Sequence, residues 1–118
     1  MSLESDLYDT LKGIVGNRVF PDFAPFTTAR PFITYQQIGG GVINTLGNEI
    51  PDKKNARMQI NIWADSRISA SSVSAQVENA LRGSAVFVAV PESALNSTYE
   101  EDLRIYGASQ DFSIWYAA

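Results

Sequence analysis

Residues Ala56 to Ala64 alternate without a break: Met58, Ile60 and Ile62 are apolar, and Arg57, Gln59, Asn61 and Trp63 stand between them. Successive side chains leave an extended chain on opposite sides, so this stretch is a strand with one face toward a core and one away from it. A sheet with one apolar face needs a second layer to cover it, and two amphipathic segments supply that layer. Leu3, Leu7, Leu11 and Ile14, widened by Tyr8 and Val15, predict a helix over residues 2 to about 13. Ser2 is its candidate N-cap, Glu4 and Asp6 sit where the helix dipole favours carboxylates, and Gly13 and Gly16 end it. A second helix, capped by Asp65 or Ser66, runs to about Arg82. Its stripe is Ile68, Ala70, Val73, Val77, Ala80 and Leu81, and Gly83 stops it.

The remaining strands are shorter. Arg18 to Pro21 reads as a short extended piece, and Asp22 to Pro31 as an irregular connection. Phe32 to Ile38 is aromatic and β-branched, a good strand. Gly39-Gly40-Gly41 then bulges or bends it, and Val42 to Leu46 resumes an extended course before a loop from Gly47 to Asn55. Ser84 to Val90 is apolar almost throughout, which predicts a strand covered on both faces. Residues 92 to 101 read as a polar loop, Leu103 to Tyr106 as a short strand, and Asp111 to Tyr116 as the last strand, with Phe112, Ile114 and Tyr116 alternating against Ser113 and Trp115. Loops of hairpin length make the sheet mostly antiparallel. The expected fold is α+β: two layers, a mostly antiparallel sheet with two helices packed on one face, one domain over residues 1–118. A chain of this length can bury about two thirds of its unfolded surface, enough for one core.

Cysteine and histidine are both absent. That excludes a disulfide framework, the usual zinc sites and any Ser-His-Asp or Cys-His nucleophile, and nothing calls for a cofactor. Carboxylate chemistry stays open, at Glu100-Glu101-Asp102 or at Asp111. Adjacent residues on an extended chain point to alternate sides, however, and a solvated loop is the simpler reading of the cluster. Thirteen carboxylates against nine Lys and Arg give a net charge of −4, and the only adjacent basic pair is Lys53-Lys54. No basic stripe exists to grip nucleic acid through its phosphates. The acidic start, Met-Ser-Leu-Glu-Ser-Asp, is not a signal peptide, and the longest apolar run, Ala85 to Val90, is too short to span a bilayer. The triglycine lacks the Lys-Ser/Thr pair and following helix of a phosphate loop. With no secretory signal, the Asn96-Ser97-Thr98 sequon reads as chance.

What remains is the open face of the sheet. Arg57, Gln59, Asn61 and Trp63 lie on it, and Ser113 and Trp115 join them if Phe112 and Ile114 face inward. Charged residues are 19% of the chain, below the roughly 25% usual for soluble domains, and interfaces concentrate Trp and Arg while thinning charge at their centres. Trp63, Arg57, Gln59, Asn61 and Trp115 are therefore candidate contact residues, together with the Lys53-Lys54 loop. The competing readings are two ordinary core tryptophans under a loop and a mobile surface loop around the lysines.

With these landmarks placed, the sequence resembles the small tail-completion (tail-terminator) proteins of long-tailed bacteriophages and their prophages. The resemblance is carried by Leu3-Glu4-Ser5-Asp6-Leu7-Tyr8 closing on Val15-Gly16-Asn17-Arg18-Val19-Phe20-Pro21, and by Pro31-Phe32-Ile33-Thr34-Tyr35-Gln36. It continues through Arg57 to Ala64, the helix to Leu81, and Asp111-Phe112-Ser113-Ile114-Trp115-Tyr116. It implies a structural subunit of the virion tail, assembled in the host bacterial cytoplasm as a homo-oligomer, a six-membered ring at the head-proximal end of the tail tube. The ring would meet the tube protein on one side and the head-completion proteins on the other. It implies no catalytic residue, no membrane partner and no sequence-specific nucleic-acid binding, although DNA would pass through the ring. Six copies at −4 would give the ring a formal charge of −24, which suits a channel through which DNA slides without sticking. Residues 46–55 and 92–99 match nothing in that pattern. Two rivals are a small dimeric α+β ligand-binding domain, which would need polar groups converging in an apolar cleft, and a carboxylate enzyme. Under the ring reading, Trp63→Ala should weaken assembly more than folding.

Overall fold

The alternation of the central strand is realised in full. In a computed structural model that describes residues 2–42, 46, 47 and 52–117, Ala56, Met58, Ile60, Ile62 and Ala64 are buried, and Asn55, Arg57, Gln59, Asn61 and Trp63 are half-buried on the opposite side. The elements run α1 (Leu3–Leu11) with a 3-10 turn over Lys12–Ile14, β1 (Val19–Pro21), β2 (Phe32–Gln37), β3 (Lys53–Ala64), α2 (Arg67–Arg82), β4 (Val88–Pro91), β5 (Asn96–Glu100) and β6 (Ile105–Ala117). They form one six-stranded sheet in the order β1-β2-β3-β6-β4, with β5 also on β6 beside β4. β1 and β2 are parallel and every other pair is antiparallel. Both helices bury most of their stripes in one cluster: Leu3, Leu7 and Leu11 of α1 and Ala70, Val73, Val77 and Leu81 of α2 meet Ile33, Met58, Ile60, Ile62, Phe112 and Ile114 of the sheet, whereas Ile68, expected in the α2 stripe, points to solvent. This is the expected α+β arrangement.

The caps follow from local chemistry. The Ser2 hydroxyl accepts from the Ser5 amide and the Ser66 hydroxyl from the Ser69 amide, both at 3.1 Å, so each helix start satisfies one orphan donor. Gly16, at φ 58°, lets the chain leave the 3-10 turn. The triglycine is a bend alongside β3. Ile38 donates to the Arg57 carbonyl and Arg57 to the Gly39 carbonyl, each at 2.8 Å, and a Cβ on Gly40 would lie 2.5 Å from the Asn55 carbonyl oxygen.

Four sequence expectations are corrected. Lys53, Lys54 and Asn55 belong to β3, where they pair with Ala117, Tyr116 and Trp115, not to a loop. The polar stretch 92–101 contains β5, an edge strand exposed along its whole length. The two short strands expected at 103–106 and 111–116 are one thirteen-residue strand, because Gly107, Ala108, Ser109 and Gln110 continue the pairing with β3. Finally, Ser84 to Val90 is not covered on both faces: β4 starts only at Val88 and lies at the sheet edge, and Phe87 and Ala89 are buried whereas Val86, Val88 and Val90 are exposed. Of the extended piece expected at Val42 to Leu46, Val42 lies outside any strand and residues 43–45 lie outside the described residues, as do residues 48–51 of the loop that follows.

Candidate subunit interface

Both helices cover one face; among the described residues no helix covers the other, and the register decides which groups meet on it. Arg57 lies opposite Ser113, Gln59 opposite Asp111, Asn61 opposite Ser109 and Trp63 opposite Gly107, with Gln36 and Thr34 of β2 on the flank. The five expected residues of β3 and β6 do share this face, though Trp115 stands at the far end of it from Trp63. Lys53 and Lys54 extend the same strand toward the Trp115 end.

The centre carries more charge than the sequence suggested. Arg57 reaches Asp111 at 3.0 Å and Glu92 at 3.1 Å, a cation held between two carboxylates, while its Nε is buried with no partner. These pairs are partly solvated, so each is worth on the order of 1 kcal/mol or less. Asp111 therefore serves as the open-face partner of Arg57. Its parity with Ser113 and Trp115 was the signal that could have placed it there. Asn55, which donates to the Ser113 hydroxyl at 2.9 Å and also binds the Gly41 amide, was hidden by its assignment to a loop.

Trp63 is anchored within its own subunit. Its indole N–H donates to the Thr34 hydroxyl at 3.2 Å, and its ring covers Gly107, where a Cβ would come within 2.9 Å of Cζ3. Trp115 is 40% exposed. Around Trp63 the face deepens into an apolar groove of about 330 Å³, lined by Phe23, Phe32, Trp63, Leu103 and Ile105, with Asp22 and Glu100 at its rim. Two arginines that no sequence pattern singled out fix its walls. Arg30 donates to the carbonyls of Leu103 (3.0 Å) and Arg104 (3.1 Å) and pairs with Asp65. Arg67, in the first turn of α2, donates to the carbonyls of Gly107 (2.8 Å) and Thr98 (2.7 Å) and lies over the Tyr106 ring.

The rival chemistries find less. Glu100, Glu101 and Asp102 are exposed at the β5–β6 turn, and among the described residues no three His, Cys, Asp or Glu side chains are grouped as a metal ion would require. A cavity of about 530 Å³ beside α1 is lined by groups of both charges, Glu4, Asp22 and Lys54, with Tyr35 between them. Burial, and then the nearby Glu4 and Asp22 carboxylates, push the Tyr35 hydroxyl pKa up. Among the described residues no helix is long and apolar enough to cross a membrane.

Comparison with known proteins gives two matches of different kinds. The family model described as tail completion protein gp17 matches residues 8–117. Twenty-four chains of solved structures also match. One, from the virion of a native gene transfer agent particle, superposes with a TM-score of 0.67 over 99% of this chain and 96% of that one, at 15% identity. At that identity the likeness is one of fold. No curated protein matches the sequence.

Proposed function

The chain belongs to the tail completion protein gp17 family, a structural component of phage tails, and on that premise we propose that six copies close into a ring at the head-proximal end of the tail tube. The observation that carries this reading is the extent of the family match. Residues 8–117 take in the last turn of α1, all of α2 and the entire sheet, so nearly the whole folded unit is of the tail-completion kind. The ring would stop the growth of the tube and present its other surface to the head-completion proteins. Assembly would take place in the host bacterial cytoplasm, and the finished protein would reside in the virion tail.

The open face supports the subunit-contact part of the reading. It offers an apolar groove at one end, an exposed tryptophan at the other, and the Arg57 ion cluster with Asp111 and Glu92 between. Trp63, Arg57, Gln59, Asn61, Trp115, Lys53 and Lys54 remain the contact residues of this proposal, with Phe23 and Leu103 added by the structure. The role is a structural one without catalysis, which agrees with a chain lacking histidine and cysteine. The test is capture: purified protein added to tail tubes assembled without it should bind at one end only and halt their elongation. Binding along the tube wall, or no binding, would contradict the proposal.

A further inference from the structure

We infer that the contact between copies is heterologous, with a basic apolar patch on one copy set against the acidic-rimmed apolar groove of the next. The inference rests on the reading that copies of this chain assemble, and it names which surfaces meet.

The groove lies where β2 begins and β6 starts. Phe32, Trp63 and Ile105 form its floor, and Phe23, 80% exposed, and Leu103 form its walls. A ring and an isobutyl group standing this far into solvent are costly unless something covers them. The patch lies at the other end of β6. Val88 pairs with Trp115 across β4 and β6, Val86 stands beside them, and Lys53 shares the recess they line. Val88 is 61% exposed.

Charge selects the pairing. The groove is lined in part by Asp22 and Glu100 and the patch carries Lys53; among the described residues none of the three is in an ion pair within its own copy. Groove against groove would set carboxylates against carboxylates, and patch against patch would set lysine against lysine. Groove against patch joins opposite charges around two apolar surfaces. Geometry points the same way. Ile105 and Trp115 lie on the same side of β6, ten residues apart, which is about 33 Å. Sheet twist turns the open face over that length, so one flat partner cannot cover both ends, and each end needs a neighbour of its own. A chain with two different complementary patches facing different ways propagates head to tail, and closes if the rotation allows.

The absence of cysteine makes the test clean. Val88→Cys and Leu103→Cys replace exposed side chains, and thermal melts matching the wild type would show that the variants fold. The double variant, mildly oxidised, should give a disulfide ladder of dimer, trimer and higher species. Either single variant should stay unlinked, and an equal mixture of the two singles should stop at dimer. Adding Lys53→Glu should slow ladder formation at least about tenfold, because a rim attraction becomes a repulsion, and Glu100→Lys in the same chain should restore it. A double variant that stays unlinked, or a single variant that links to itself as readily as the double, overturns the inference. If the wild type closes into a ring while the double variant does not link, this pairing fails and the ring stands. A ladder that climbs without a closed final species upholds the pairing and contradicts the ring.

Discussion

Trp63 and Trp115 share a face of the sheet but not a task. Trp63 is held by Thr34 and lies over Gly107, whereas Trp115 presents much of its ring to solvent. Trp63→Ala should cost about 2 kcal/mol of folding stability, less than the roughly 3–5 kcal/mol of a fully buried aromatic, in addition to weakening assembly. Trp115→Ala should cost no more than about 0.5 kcal/mol, as a surface change does, and still weaken assembly. Urea denaturation and native mass, measured side by side, check both; equal stability losses, or a Trp115→Ala protein that assembles normally, would contradict the assignment. A loss of assembly larger than the loss of folding, expected of Trp63→Ala from the sequence, is therefore proposed for Trp115→Ala as well. Alternation alone put both rings on the open face. It could not weigh them, because Trp63's anchoring depends on a glycine in a segment whose strand character the sequence concealed. The Arg57 cluster was half-legible for a similar reason: Arg57 was visible, but Glu92 reaches it from a stretch with no periodicity.

Among the elements, those with a strong period were readable, and those shaped by their neighbours were not. Met58, Ile60 and Ile62 fixed β3, and the leucine and valine stripes fixed α1 and α2. β5 has no buried residue to leave a pattern, and the middle of β6, Gly107 to Gln110, is small or polar because Trp63 fills the space above Gly107 on the open face and Gln110 turns to Glu78 and the Ser93 carbonyl on the helix side. That bond from Gln110, with a second from Arg82, holds the Glu78 carboxyl below the usual carboxylate range. β4 misled in the opposite direction: its continuous apolar run suggested two covered faces, yet Val88 and Val90 are open at an edge. Arg67 is the hinge pin of this half of the sheet, since it closes the carbonyls of both β5 and β6 onto α2. Arg67→Ala should destabilise the protein by about 1–3 kcal/mol, the cost of stranding such acceptors, and should speed amide exchange in Asn96–Glu100 more than in β2. Uniform exchange across the sheet would show that α2 does not hold that hairpin.

For the molecule as a whole, the order of elements was legible enough to suggest a tail-completion protein, and the family match agrees. The pairing of surfaces was not legible, because Phe23, Leu103 and Val88 acquire meaning only when the fold brings them to opposite ends of one face. Closure of this chain into a ring is a statement about mass in solution. Native mass spectrometry of the purified wild type over a range of concentrations should show a closed hexamer, six times 12.9 kDa, growing at the expense of monomer with little at intermediate size. A dimer that persists unchanged across that range would contradict the ring and favour the ligand-binding alternative.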